Sequence, residues 1–302
     1  MREMTTADEQ PIRRSGRPHL AWARPLRACP PFVLVALCWI VLMAAVALLA
    51  DAITPFSITA TDLRARLLPP VFIEGGNWKH LLGTDQLGRD TLSRLISSIR
   101  TSMTIGVIST FIAAVIGIAL GFLAAHTRGR LEQVILMLID AQAAMPFMIV
   151  ALAVLAFFGN SLVLFTCLLG FFGWERIARL ARGLALSASE QGYTIAVRDL
   201  GGSPLRVYGL HILPNVASSL IVAMTLNLPE VILLETSLSF LGLGVQPPLS
   251  SLGNMVSAAR DFMERAPWLV LIPSIVIMLT ALSISLVGDW LRDQSSLSGG
   301  QR

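Results

Sequence analysis

The stretch YTIAVRDLGGSPLRVYGLHILPN, residues 193–215, is a polar, arginine-bearing interval between segments apolar enough to enter a bilayer. Its punctuation is that of two helices joined by a turn. Gly201 and Gly202 supply a stop, because a left-handed residue costs least without a Cβ. Ser203 offers an N-cap oxygen, and Pro204 follows at the first helical position, where a missing N–H costs nothing. The second helix would show Leu205, Tyr208 and Ile212 on one stripe with Arg206 beside it. A rigid amphipathic bracket of this kind, held outside lipid, is suited to gripping a partner, although a solvated connector has the same outline.

The flanking sequence defines a membrane protein. Hydrophobic residues make up 54% of the 302 positions and charged residues 14%, against about 25% in soluble domains, and the mean hydropathy is +0.70. Six apolar spans are expected: residues 31–50, 101–125, 134–158, a fourth from Ser161, 216–238 and 268–287. Gly159-Asn160-Ser161 divides the third from the fourth. The fourth meets Glu175 too early and must continue through Arg182 with its arginines snorkelling into headgroups. Gly117 and Gly121 form a small-xxx-small pair that predicts close helix packing. The remaining segments are an N-terminal tail, 1–30, expected to be disordered, a polar segment 51–100, a bracket loop 175–214 within a five-helix core 101–290, and a C-terminal tail 291–302.

Six spans put both termini on one side. Arg2, Arg13, Arg14, Arg17, Arg24 and Arg27 in the tail, Arg128 and Arg130, and the bracket arginines choose the cytoplasm for the termini and the bracket. The segment 51–100 then lies outside.

Several chemistries are disfavoured. The only lysine, Lys79, stands between Trp78 and His80, so the Gly-Lys-Ser/Thr of a phosphate-binding loop is absent, and ATP hydrolysis of that kind belongs to a partner. Cys29, Cys38 and Cys167 lack metal or disulfide spacing and read as packing residues. His19, His80, His126 and His211 are scattered, and no catalytic constellation or metal site emerges. His80 with Asp85 and Asp90 has no regular ligand spacing.

Three strings carry a resemblance. The bracket resembles the signature loop of permease subunits of binding-protein-dependent ABC importers, which reads Glu-Ala-Ala followed at fixed spacing by Gly and Leu-Pro. Ala196, Gly201, Leu213 and Pro214 fall on it, while Ile195 and Val197 replace the Glu and the second Ala. Arg198, Leu200, Ser203, Leu205, Arg206, His211 and Asn215 look like the variant of the dipeptide, oligopeptide and nickel branch. GTDQLGRD at residues 83–90 and SFLGLGVQPP at residues 239–248 match the same branch. The similarity spans residues 31–293.

The resemblance implies an all-α membrane protein of the type I importer permease fold, with a coupling bracket between its fourth and fifth spans. It implies an inner-membrane permease subunit, not an enzyme, carrying di- or oligopeptides or a related solute such as nickel. The implied partners are a second homologous permease, two ATPase subunits holding ATP and magnesium, a periplasmic or lipid-anchored binding protein and membrane lipid, with no nucleic acid. Ala196, Arg198, Gly201, Ser203, Leu205, Arg206, Tyr208, Leu213 and Pro214 would form the ATPase-coupling element. Gly83, Asp85, Gly88, Arg89 and Asp90 read either as turns with Asp90 capping the next helix or as part of an external gate. Asp140, Glu230 and Glu235 are the acids nearest lipid. Glu235, with Ser239, would line the translocation path, or else be a hydrogen-bonded packing acid. The rival class is an ion-gradient-driven transporter or channel, which calls for ionisable groups at midplane.

Overall fold

Pro30 supplies the extended residue from which the first helix starts, and the computed structural model describes residues 30–299. The expected disordered tail and Cys29 therefore lie outside the described residues. Within them the chain is helical: α1 (Pro31–Ile53), α2 (Thr91–Thr127), α3 (Arg130–Ala144), α4 (Phe147–Phe158), α5 (Leu162–Gly170), α6 (Trp174–Ser189), α7 (Gly192–Asp199), α8 (Pro204–Arg206), α9 (Leu213–Phe240), α10 (Leu252–Ala259) and α11 (Trp268–Gly299). Four helical runs are long and apolar enough to cross a membrane, namely α1, α2, the run Pro204–Phe240 and α11. A fifth is obtained if α3 and α4 count as one broken span.

α2 is the central post. It begins at Thr91, a decade before the apolar run expected from residue 101, because Asp90 caps it: its Oδ2 accepts from the Ser93 N–H at 2.8 Å. Its far half packs on α6 through the predicted glycine pair. A Cβ on Gly117 would lie 2.7 Å from the Trp174 carbonyl, and one on Gly121 2.5 Å from that of Ala178. Small residues here let two backbones touch. α5 is tied to α2 by Ser109 Oγ donating to the Thr166 carbonyl at 2.9 Å. α1 lies outside this core, against α2 and α11, with Trp39 Nε1 donating to Thr280 Oγ1 at 3.1 Å.

Hydropathy mistook two breaks for continuous spans. The expected third span turns by 87° between α3 and α4. Met145 is extended before Pro146, as a residue preceding proline is biased to be, and Pro146 has no N–H to continue the ladder. The fourth span is broken at Phe171–Gly173, where Gly173 is left-handed at φ +81° and presses on the Asn227 side chain of α9. The arginines after it do not simply snorkel. Arg176 pairs with Glu230, Arg179 with Asp140 at 3.1 Å, and Arg182 with Glu132.

Candidate functional site

The bracket lies at one end of α2, and the strings GTDQLGRD and SFLGLGVQPP lie at the other. Thirty-seven residues of α2 at about 1.5 Å each separate them by roughly 55 Å.

At the bracket, α7 ends in a Schellman motif. Gly201 sits at φ +78°, its N–H donates to the Arg198 carbonyl at 3.0 Å, and the Gly202 N–H reaches back to the Val197 carbonyl at 3.0 Å. A Cβ on Gly202 would meet that carbonyl at 2.7 Å. The chain restarts at Ser203, whose Oγ accepts from the Arg206 N–H, with Pro204 at the first turn. The second bracket helix does not end at the border between the expected bracket loop, 175–214, and the span expected from residue 216. It runs through a wide π-helical segment, Val207–Ile212, directly into α9. The Leu213 N–H reaches the Tyr208 carbonyl, five residues back, and the widened turn lets Pro214 enter without a ladder N–H.

That wide turn also undoes the expected stripe of Leu205, Tyr208 and Ile212. Ile212 and Val207 are buried against Ala125, Ala181, Ala185 and Val216, while Leu205 is 88% exposed. Tyr208 lies between, packed on Phe122 and His126 at the end of α2. The face turned outward carries Leu200, 88% exposed, with Leu205, Leu210, Ala196 and the cations Arg198 and Arg206, neither of which forms an ion pair among the described residues. Covering a leucine of this kind contributes about 1.5–3 kcal/mol. The bracket thus has a seated underside and an apolar, basic outer face.

At the opposite end, Glu235 of α9 is fully enclosed. Ser239 Oγ donates to its Oε1 at 2.7 Å and Ser102 Oγ of α2 to its Oε2 at 3.1 Å; Ser102 Oγ in turn accepts from the Leu252 N–H at 3.1 Å. Four residues along α2, Ser98 bonds Ser250 at 2.9 Å, and four further back Arg94 reaches Ser250 and pairs with Asp85. Asp85 also accepts from the backbone N–H groups of Leu87 and Arg89 and pairs with the Arg89 side chain at 2.7 Å. Asp90 holds His80 Nδ1 at 2.9 Å as well as capping α2. His80 and Asp85 are committed to different partners and do not converge.

Both of these strings are built by glycine. Gly83 and Gly88 have φ +75° and +72°, and a Cβ on either would strike the carbonyls of Leu68 and Asp62. In the second string Gly242, at φ +83°, ends α9 in another Schellman motif, with the Leu243 N–H bonded to the Leu238 carbonyl at 3.0 Å. Gly244 then folds back so closely that a Cβ would sit 1.8 Å from Ser239 Oγ. The strings are therefore joined through α2 by one polar network, with halves Asp85–Arg94–Ser250–Ser98 and Ser102–Glu235–Ser239–Ser251. The halves meet at the Ser250–Ser251 peptide bond, Ser251 Oγ donating to Ser239 Oγ at 3.3 Å. Sequence reasoning singled out its ends but missed Arg94, Ser98, Ser102, Ser250 and Ser251. The available signal was the four-residue spacing of Arg94, Ser98 and Ser102 on one helix face.

Comparison with known proteins accords with this arrangement. Residues 117–296 match the family model of the binding-protein-dependent transport system inner membrane component. The chain is 38% identical over 260 residues to the dipeptide transport system permease protein DppC of Haemophilus influenzae, covering 86% of this chain and 88% of that protein. It is 39% identical over 247 residues to the di/tripeptide transport system permease protein DppC of Pseudomonas aeruginosa, 82% of each chain. With the glutathione transport system permease protein GsiD of Pectobacterium atrosepticum it shares 36% identity over 220 residues, 73% of each chain. With a family model matched over more than half of its length and relatives 38% and 39% identical over most of theirs, the chain belongs to the family of binding-protein-dependent transport system inner membrane components.

Proposed function

We propose that this chain is the permease subunit of an ATP-driven importer of short peptides in a bacterial inner membrane. It crosses six times: α1, α2, the bent α3–α4, the broken α5–α6, α9 and α11. Both termini and the bracket face the cytoplasm, and GTDQLGRD faces the periplasm. A second permease completes the path, two ATPase subunits hold ATP and magnesium, and a binding protein delivers the solute. Relatives named for dipeptides, tripeptides and glutathione support peptides as the cargo in preference to nickel.

The observation that carries the reading is the continuity of the bracket with α9. The exposed Leu200–Leu205 face docks into the ATPase, and the same helical run ends at Glu235 and Ser239 beside the outer loop. A push on the bracket is delivered along one continuous helical run to the external gate, a two-state switch biased by nucleotide. The importer, reconstituted with its ATPases and binding protein, should take up a dipeptide only with ATP. Gly201→Val, which forces a β-branched residue into the left-handed region, should abolish uptake while part of the complex still assembles. Unchanged uptake in that variant, or flux through the isolated chain, would overturn the reading.

A further inference from the structure

Arg94 and Glu235 are buried within their own chain, but the pair formed by Glu230 and Arg176 is half open. Glu230 lies on α9 about 12 Å along the axis from Leu238 and about 21 Å from Val216. Arg176 of α6 grips it with both terminal nitrogens, one at 2.7 Å, and its guanidinium rests 5.3 Å from the Phe172 ring centre. The two side chains are 49% and 45% exposed. A paired charge left open at this depth faces either a water-filled path or another protein chain, because hydrocarbon solvates it poorly.

Glu230 also lines a cleft of about 770 Å³ between α9 and α11, within the range of small-ligand sites. The opposite wall carries Asp289, placed at the level of Leu226 by the close seating of Gly288 on that residue. Thr236, Ser274 and Ser285 add hydroxyls, and the rest of the lining is apolar. Two carboxylates on greasy walls, with the Arg176 fork held on one of them from outside the lining, match one class of solute: a short peptide with free ends and variable side chains.

Resting on the reading that this chain forms part of a peptide path, we propose that the α9–α11 cleft is a way-station for the charged termini of a short peptide. The ammonium group sits between Glu230 and Asp289. The peptide carboxylate takes the Arg176 fork that Glu230 gives up. Because the pair re-forms when the peptide leaves, the station holds its cargo weakly, as conduction requires.

The test uses the complete importer in proteoliposomes, with alanyl-alanine as solute and uptake normalised to assembled complex. Glu230→Gln should lower uptake about tenfold, the scale of one lost charge-assisted contact. Asp289→Asn, which leaves the ion pair untouched, should lower it several-fold. The exchanged pair, Arg176→Glu with Glu230→Arg, should remain as impaired as Glu230→Gln. Recovery in the exchanged pair, or full uptake in Asp289→Asn, means the pair is only a structural tie and overturns the station alone. Leu282→Cys in a cysteine-free background should not be trapped by a short bifunctional thiol reagent on the second permease. Trapping would mean a partner helix fills the cleft, and overturns the station too. Loss of uptake in the unmodified importer would instead remove the peptide-permease reading itself.

Discussion

Glu235 and its hydroxyl partners set the stakes of a single atom. Ser102→Ala removes the donor to Oε2 in a fully buried place, and an orphaned acceptor costs about 1–3 kcal/mol. The purified protein should melt earlier in a thermal scan, and Ser102→Thr should recover part of the loss. Gly244→Ala should cost about as much through overpacking, about 1–3 kcal/mol, because the new methyl falls on Ser239 Oγ. Asp90 as a cap and Gly201 as a left-handed stop were legible in the sequence, since each rests on short-range rules. Ser98 and Ser102 were not. Thr166, Thr225, Thr236 and Ser237 all turn their hydroxyls onto their own i−4 carbonyls, so a serine in an apolar helix does not announce that it crosses to a neighbour.

Helix against helix, the contact of α2 with α6 depends on backbone approach. Gly121→Leu would drive a side chain into the Ala178 carbonyl and should reduce the folded yield severely in fluorescence-detected size exclusion. Gly183→Ala, on α6 but facing open space, should raise stability by up to about 1 kcal/mol through helix propensity. The glycine pair was readable because its spacing is itself the packing signal. The breaks at Pro146 and Gly173 were not, since apolarity averaged over twenty residues is blind to direction. Nor did the pattern reveal that the bracket's second helix merges with α9, because a periodicity of 3.6 residues misassigns every side chain across a π-segment.

Taken whole, the molecule is unfinished by itself. At most 39% of the apolar window of any membrane-capable helix is buried, and only 17% for α1, so lipid or partner chains must cover the remainder. The bracket's outer face asks for an acidic, apolar groove. On the proposed reading, binding of ATPase subunits should weaken as salt rises, and Arg198→Glu with Arg206→Glu should both lower affinity and flatten that dependence in a titration. The wide turn between bracket and α9 has its own consequence. It takes up one residue more than an ordinary turn at much the same bearing, so loss of one codon within residues 207–212 is absorbed there. Loss of one codon from the ordinary helix just beyond it, within residues 216–220, would instead swing all that precedes it by about 100° around the long axis. The exposed leucines would then point at the wrong compass bearing, and on the proposed reading a deletion touching neither groove nor gate would leave motor and door intact but disconnected.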